Sequence, residues 1–387
     1  MTSCHVGRFF YWNVANIDDY KKFPSDVIEA AETPYKFPRS DSVHPVFKGN
    51  VTVGASELDF NAFLEESRTA AFLVIRNDTL LFEAYPNGYE ATDILTSFSV
   101  AKSFVSALIG IALEEGHIRG LDEPITNYIT DLSDTAFARI TIDDLLNMRS
   151  GIAYDEGYFN PFGYVAKYYY GRNLKRYNRK LEIAAPPDSY FQYVSVNTQL
   201  LAEILEQATG RPISAYMEEK IWRKIGTAHE ATWSVDSKQH HTVKAFCCIN
   251  ALAIDFAKFG RLYAHRGNWD GEQVIPARWV DYSTRIHEDS KQLVYTYQWW
   301  HTITYSALTD TLNLGPGVPY QIARKPGSKP NDQKFLVTQH YDFMAEGILG
   351  QFIYVYPPKN LVIVRLGKYS RELSIWPQLF RKLANDL

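Results

Sequence analysis

Cysteine is scarce in this sequence: the 387 residues contain Cys4, Cys247 and Cys248 and no others. Three cysteines are too few for a disulfide framework, and adjacent cysteines such as Cys247 and Cys248 rarely bridge each other. The neighbouring His240 and His241 have no partners at the spacing of a zinc site. We therefore expect no disulfide scaffold, no metal and no other cofactor.

The sequence also lacks a long apolar run and an excess of basic residues. Its longest apolar stretch, Phe104 to Leu113, is far shorter than the roughly 18 residues that a membrane-spanning helix needs. The formal net charge is -4, and the Lys and Arg residues are scattered along the chain. Such a chain offers no basic surface to nucleic acid. We expect neither a membrane span nor a nucleic-acid partner, and the oligomeric state stays open.

The first residues allow two interpretations. Thr2, Ser3 and Cys4 resemble the end of a bacterial lipoprotein cleavage box without its hydrophobic leader. If the chain is a trimmed lipoprotein, it belongs to the cell envelope, in the periplasm and lipid-anchored at Cys4. If Cys4 is a chance cysteine at a native start, the protein is cytoplasmic.

What the sequence does contain is strand patterns towards both ends and helical patterns between them. Residues 70–85 are two apolar runs around Asn77-Asp78, and residues 351–367 repeat this arrangement around 357–360, so both predict hairpins. Sheet-forming ends with helices between them indicate a sheet domain that carries a helical insertion. The predicted divisions are an N-terminal arm (1–60), a discontinuous sheet domain (61–96 and 240–387) and a mostly helical domain (97–239).

The stretch TSFSVAKSFVSALIGIALEEG, residues 96–116, places Ser99 and Lys102 three residues apart at the front of an apolar helix. That spacing is close to one helical turn, so the two side chains share a face. A serine hydroxyl becomes a nucleophile when a neighbouring base takes its proton, and a buried lysine can be that base. Ser-x-x-Lys alone is a weak motif, because chance produces it about once in a chain of this size.

Five segments in order make the motif specific, and through them the sequence resembles the serine β-lactamase and penicillin-binding-protein superfamily. The resemblance is strongest to its branch of class C β-lactamases, esterases and 6-aminohexanoate-dimer hydrolases. It extends from about Ala70 to Arg365 and is poor over 1–60 and 301–343. The segments are FSVAKSF, GHIRGLDEPITNYI, TIDDLLNMRSGI, FQYVSVNTQLLAEILEQATGR and AEGILGQFIYVYPPKNLVIVR.

The resemblance implies an α+β fold, in which an antiparallel sheet flanked by helices meets the helical domain at a groove that holds the active site. It implies Ser99 as the acylated nucleophile, Lys102 as its proton acceptor and Tyr193 as the proton shuttle to the leaving group. The family's Tyr-x-Asn element departs from its pattern here, because Ser195 stands where the asparagine is expected. Ser195 is therefore a candidate substrate-binding residue in place of an amide.

A second departure concerns the family's third element, usually Lys-Thr-Gly, which aligns with Ile348, Leu349 and Gly350. The missing Lys and Thr normally hold a substrate carboxylate, so β-lactams should be poor substrates. The oxyanion hole needs only backbone N–H groups, which the alignment assigns to Ser99 and Gln351. Ile348 would then line the substrate site.

Two further positions resemble substrate-facing residues of the dimer hydrolases, each with a structural alternative. Tyr154 follows the Ser-Gly segment, and simple packing explains an aromatic there equally well. Asn250 aligns with an asparagine that lines the cleft, although a helix cap is the commoner role.

The sequence favours a serine hydrolase that cleaves a small ester or linear amide, as a carboxylesterase or a 6-aminohexanoate-dimer-hydrolase-like amidase. One alternative is a β-lactamase or D-Ala-D-Ala carboxypeptidase. The other is a member of the superfamily that binds cell-wall ligands without catalysis. Residues 301–343 lie just before the third element, so we expect them to form one wall of the cleft.

Overall fold

The structure is a computed structural model that describes residues 4–12, 14–53, 56–132, 134–287, 292–309, 320–325, 331–370 and 375–387. The strands are β1 (Ser25–Ile28), β2 (Asn50–Val53), β3 (Ser56–Asp59), β4 (Thr69–Arg76), β5 (Thr79–Ala84), β6 (Leu95–Thr96), β7 (Ala231–Ser234), β8 (Ile249–Ala251), β9 (Asn268–Trp269), β10 (Glu272–Gln273), β11 (Tyr295–Thr296), β12 (Trp299–Ser306), β13 (Tyr320–Ala323), β14 (Phe335–Gly347), β15 (Gln351–Tyr356) and β16 (Leu361–Gly367). The α-helices are α1 (His5–Trp12), α2 (Phe60–Glu66), α3 (Ala101–Glu114), α4 (Ile142–Leu146), α5 (Tyr164–Tyr170), α6 (Leu174–Asn178), α7 (Ser195–Thr209), α8 (Ile213–Met217), α9 (Ala253–Ala264), α10 (Ala277–Ser283) and α11 (Trp376–Asp386).

Both predicted hairpins form, and their turn residues explain why. Asn77 and Asp78 adopt φ of 49° and 60° between β4 and β5, a conformation that Asn and Asp tolerate in two-residue turns. Asn360, with φ of 44°, ends the turn between β15 and β16. The apolar runs on either side then pair as antiparallel strands.

The main sheet joins the two ends of the chain. Its strands lie in the order β11-β12-β14-β15-β16-β4-β5, with β13 pairing to β14, and every pair is antiparallel. The closing pair is β4 with β16, in a register that places Arg76 opposite Leu361. The predicted α+β fold with an antiparallel sheet is confirmed.

Helices cover both faces of this sheet. On one face α9 packs closely, because Gly260 leaves no room for a side chain: a Cβ there would lie 2.5 Å from Val362 Cγ1. On the other face α11 packs its aromatic rings on the strands, with Trp376 against Phe72 at a centroid distance of 5.9 Å. The helices α3 to α8 lie between the sheet-forming segments in sequence, as the helical patterns predicted.

Helix α3 runs through the core. Every residue from Ala101 to Ala112 is buried, and Phe104 stacks on Phe259 of α9 at 3.6 Å between ring centroids. A helix that is buried all round takes any polar side chain it carries into the interior with it. Lys102 is such a side chain.

The structure bears on the expectations about the adjacent cysteines and about a membrane span. Cys247 and Cys248 are joined as a disulfide with a Cα–Cα distance of 3.7 Å, so the expectation that these neighbours do not bridge is wrong. Cys248 adopts φ of 74°, and this sharp turn brings the adjacent side chains together. Within the described ranges, no helix has the length and apolar character to cross a bilayer.

The poorly matching region 301–343 adds strands to the main sheet. Its strand residues belong to β12, β13 and β14. Residues 310–319 and 326–330 of this region lie outside the described residues.

The N-terminal residues 1–60 contribute α1, β1 and the β2–β3 hairpin, and β1 joins a second small sheet ordered β1-β7-β8-β6.

Candidate active site

A tight turn between β6 and α3 presents Ser99. Ser97 is anchored to β8, since its N–H donates to Ile249 O at 2.8 Å and its Oγ accepts from Ile249 N at 3.1 Å. Phe98 follows with φ of 44°, a left-handed conformation that is costly for a bulky residue, by about 1–3 kcal/mol. Its buried ring, 1% exposed, helps to fix this turn. Ser99 is thereby fixed at the entrance of α3.

Lys102 lies one turn further along the helix with its ammonium group at the serine. Its Nζ donates to Ser99 Oγ at 2.9 Å, to Ser195 Oγ at 3.2 Å and to the Phe246 carbonyl at 2.9 Å. The side chain is 1% exposed. Burial lowers the pKa of Lys102 to about 8, against an opposing effect of the nearby Glu156 carboxylate. Neutral Lys102 is thus accessible near neutral pH.

Tyr193 faces the same two residues. Lys102 Nζ lies 5.0 Å from its ring centroid, and the ring stacks on Trp300 of β12 at 5.6 Å. Burial and the Glu156 carboxylate raise the pKa of Tyr193 well above its ordinary value, and a hydrogen bond with Ser99 acts in the opposite direction. The phenol therefore keeps its proton and can donate it.

Ser195, at the first residue of α7, connects the lysine to a carboxylate that the sequence did not reveal. Glu156 accepts the Ser195 backbone N–H at 2.8 Å and the Ser195 Oγ–H at 2.5 Å, and it also accepts the Tyr158 hydroxyl at 3.1 Å. Its negative charge lies at the N-terminus of a 15-residue helix, where the helix dipole favours an anion. We call Lys102, Tyr193, Ser195 and Glu156 the helical wall of the cleft.

The opposite side of the cleft is the end of β14. A Cβ added at Gly347 would lie 2.6 Å from Ser97 O and 3.1 Å from Ser99 N, so this glycine is in close contact with the serine turn. Among the described strands, the pairing of β12 with β14 reaches only as far as Trp300 opposite Met344. Residues 345–347 therefore have no ladder partner from β12, and Gly347 contacts the serine turn instead. We call Ala345, Glu346 and Gly347 the sheet wall.

The segment that the alignment assigned to the third element lies just beyond the sheet wall. Ile348, Leu349 and Gly350 form the turn between β14 and β15, with φ of 66° at Leu349 and 80° at Gly350. Gln351 pairs with Gly347 across this hairpin, and its buried side chain bonds both backbone groups of Gly367 at 2.8 and 2.9 Å. That the backbone N–H of Gln351 donates to the oxyanion remains a prediction.

A buried arginine holds that turn in place. Arg365 of β16 donates to Leu349 O at 2.7 Å and Gly350 O at 2.6 Å, and to Ser67 O at 2.7 Å. Its guanidinium lies 5.0 Å from the Trp376 ring centroid. Burial lowers the pKa of Arg365 to about 9.

Tyr154 and Asn250, the two weaker candidates, lie in the interior. Tyr154 is 5% exposed and its ring packs among other tyrosines. Asn250 is fully buried: it accepts from Thr96 Oγ1 at 2.9 Å and donates to Thr232 Oγ1 at 3.1 Å and Ser234 Oγ at 3.2 Å. These bonds tie β6, β7 and β8 together, so Asn250 has a structural role in this sheet, and its contact with substrate remains a prediction.

The side chains grouped around Ser99 carry hydroxyl, amine and carboxyl groups. In the part of the chain that the structure describes, no three His, Cys, Asp or Glu side chains are grouped as metal ligands would be.

This arrangement of a serine, a lysine one turn later and a facing tyrosine, between an antiparallel sheet and a helical region, defines a β-lactamase/transpeptidase-type fold. The family model described as Beta-lactamase matches residues 60–372, and the chain therefore belongs to that family, within the serine β-lactamase and penicillin-binding-protein superfamily. As a member, it is a hydrolase of that superfamily.

Three similar proteins refine this placement. A 6-aminohexanoate-dimer hydrolase of Paenarthrobacter ureafaciens is 28% identical over 273 residues, which cover 63% of this chain and 67% of the relative. A solved Bacillus anthracis structure, provisionally described as a 6-aminohexanoate-dimer hydrolase, superposes with a TM-score of 0.73 at 21% identity, over 98% of this chain and 94% of that one. A class C β-lactamase variant gives a TM-score of 0.54 at 14% identity, over 81% and 92%. The two solved structures show the shared fold.

Proposed function

We propose that this protein is a serine hydrolase that forms an acyl-enzyme at Ser99 and cleaves an ester or a linear amide. The observation that carries the proposal is the position of Lys102, whose buried Nζ lies 2.9 Å from Ser99 Oγ and has two further acceptors, with no carboxylate of the described residues in direct contact. A lysine held in this way can exchange a proton with the serine.

Each catalytic residue has one task in the reaction. Neutral Lys102 takes the Ser99 proton as Oγ attacks the substrate carbonyl, and the bond from carbonyl to leaving group breaks as the Tyr193 hydroxyl protonates the leaving atom. The proton on Lys102 then restores Tyr193. In the second half water attacks the acyl-serine ester as neutral Lys102 takes its proton, and the bond from the acyl carbon to Oγ breaks as Lys102 returns that proton to Ser99, which releases the acid. The Ser99 N–H and a backbone N–H at the end of the β14–β15 hairpin stabilise the oxyanion.

The substrate class follows from what the cleft lacks. Neither the aligned segment, Ile348 to Gly350, nor the sheet wall carries the Lys and Thr that hold a carboxylate in β-lactamases. The 28% identical relative is named for hydrolysis of a linear amide, the 6-aminohexanoate dimer. Both points support a carboxylesterase or linear amidase over a β-lactamase or carboxypeptidase.

Covalent labelling tests the mechanism. A fluorophosphonate probe should add one adduct to the intact protein, and peptide mapping should place it on Ser99. The Ser99→Ala variant should remain unlabelled. A wild-type protein that takes up no label would contradict the acyl-enzyme and favour the ligand-binding alternative.

Substrate comparison tests the class. We expect p-nitrophenyl acetate to be hydrolysed with a much larger kcat/KM than nitrocefin, because the carboxylate of nitrocefin finds no cationic clamp. The opposite order would contradict the proposed substrate class and support a β-lactamase.

A further inference from the structure

Glu346 is the charged side chain of the sheet wall. It precedes Gly347, the residue in close contact with Ser97 O and Ser99 N, on the strand end that has no ladder partner from β12. As neighbours on a strand, Gly347 faces the serine turn and Glu346 projects to the other side of the strand end, from where its carboxylate still acts on Tyr193. The sequence alignment gave Glu346 no role, because it placed the third element two residues later.

No Lys, Arg or His side chain in the described part of the chain is in direct contact with the Glu346 carboxylate. Among the described residues it has no hydrogen bond and no ion pair, although it is partly buried. Its carboxylate is near enough to Tyr193 and Tyr158 to act on their pKa values, behind the larger effects of burial and Glu156. Burial raises the pKa of Glu346 to about 7. A carboxylate left without a counter-charge in a cleft is unfavourable until a ligand supplies one.

Aromatic side chains near Glu346 include Tyr193, whose ring already has Lys102 Nζ 5.0 Å from its centroid, and Trp300, which pairs with Met344 two residues before Glu346. Tyr193 stacks on Trp300 with ring centroids 5.6 Å apart, and Tyr295 meets Trp300 edge-on at 4.8 Å. Faces of tyrosine and tryptophan rings attract ammonium groups, and a carboxylate next to them adds charge pairing. A substrate carboxylate at the same place would be repelled.

We propose that Glu346 selects substrates that carry an ammonium group close to the scissile bond and rejects those that carry a carboxylate there. The sheet wall thus reverses the charge preference of the Lys-Thr-Gly element of β-lactamases. This inference rests on the proposed function, since it names the substrate class of the same cleft.

Three p-nitrophenyl esters test it. Their acyl chains have equal length and end in trimethylammonium, in tert-butyl, which has the same shape without charge, or in carboxylate. The assays run at a pH of about 8.5, where a carboxyl with a pKa near 7 is ionised. For the wild type we expect kcat/KM to decrease from trimethylammonium to tert-butyl to carboxylate, by ~10-fold at each step.

Substitutions of Glu346 test whether this residue causes the preference for the cationic ester. Glu346→Gln should reduce the ratio of kcat/KM for the trimethylammonium and tert-butyl esters by ~10-fold, mainly through KM, and Glu346→Lys should reverse the order of the charged esters. Glu230→Gln, at an exposed position, is the matched control and should keep the wild-type ratios.

The outcomes separate this inference from the proposed function. Hydrolysis of all three esters with equal ratios in the wild type and Glu346→Gln would overturn the role of Glu346 alone. So would a uniform loss of kcat in Glu346→Gln, which indicates a general effect on the chemistry. A wild type that cleaves none of the esters and takes no fluorophosphonate label would overturn the proposed function, and this inference with it.

Discussion

The two walls of the cleft differ in how their acidic side chains are partnered. Glu156 in the helical wall accepts three hydrogen bonds, from Ser195 N, Ser195 Oγ and Tyr158 Oη. Glu346 in the sheet wall accepts none from the described residues. The helical wall is therefore complete before substrate arrives, as a pre-organised set of reacting groups must be. The sheet wall carries a carboxylate, Glu346, that a ligand can pair with. We therefore infer that the helical wall performs the chemistry and the sheet wall selects the substrate.

The largest expected effect comes from removing the reacting groups of Ser99 and of Lys102 in the helical wall. Ser99→Ala removes the nucleophile, and Lys102→Met keeps the volume of the side chain but removes its amine. Each should lower kcat for p-nitrophenyl acetate by about 10³-fold or more. Circular dichroism checks that both variants fold. A folded Lys102→Met enzyme with a tenth of wild-type kcat would contradict the role of the lysine as base.

The next largest effect is expected in the sheet wall. Gly347→Ala introduces a Cβ 2.6 Å from Ser97 O, so the strand end must move away from the serine turn. A displacement near 1 Å in an active site can cost about 100-fold in rate, and we expect kcat/KM to fall by that order. The control is Gly49→Ala, where the added Cβ meets its nearest neighbour at 3.6 Å. Equal activity of the two variants would contradict the close placement of this wall.

A smaller effect is expected at Glu156, which acts through its neighbours. Glu156→Gln keeps one accepting oxygen but loses the charge that holds Ser195 against Lys102, so we expect kcat/KM to fall by about 10-fold. Asp155→Asn is the matched control, because Asp155 is exposed and accepts only from the nearby Gly157 N–H among the described contacts.

The pH profile distinguishes this positioning role from general destabilisation. The pKa of Lys102 is about 8, and the neutral form is the base, so wild-type kcat/KM should rise with pH and level off above about 8. The Glu156 carboxylate raises the pKa of Lys102, hence Glu156→Gln should move this rise to lower pH. An unchanged midpoint in a folded variant would argue that Glu156 does not act on the lysine.

The smallest effect on the chemistry is expected at Arg365, which supports the sheet wall from behind. Arg365→Met leaves the carbonyls of Ser67, Leu349 and Gly350 without their buried donor, and we expect a loss of about 2–4 kcal/mol in the free energy of unfolding. Urea denaturation measures it. Arg266→Met, at an exposed ion pair, should keep the wild-type midpoint. A native midpoint in Arg365→Met would contradict the support role.

Much of the helical wall was predictable from local sequence. Ser99 and Lys102 share one helical turn, and the ordered segments identified Tyr193 and Ser195, so spacing along the chain carried the information. Glu156 was missed because its contact with Ser195 spans 39 residues and depends on how a tyrosine-rich loop folds over α7. No periodic pattern marks such a contact.

The sheet wall was less accessible from sequence. With Lys and Thr absent, nothing in the chain fixes the register of the third element, and the alignment settled on the turn at Ile348 to Gly350. The packing of Gly347 against Ser99 N points instead to the strand end before that turn. Tyr154 and Asn250 became candidates through the resemblance, and their contacts with substrate remain predictions, because the buried contacts that they make could not be read from the sequence. The fold was easier to predict from the sequence than the sheet wall, because turn residues and apolar runs define the hairpins.

The pairing of β4 with β16 has a consequence for the synthesis of the protein. Arg76 and Leu361 face each other across almost 300 residues of chain, so the sheet closes only after nearly the whole sequence has left the ribosome. Ser99 emerges early and Gly347 late. Under the proposed mechanism, a nascent chain therefore carries Ser99 for most of translation before the strand end that would complete the oxyanion hole has been made.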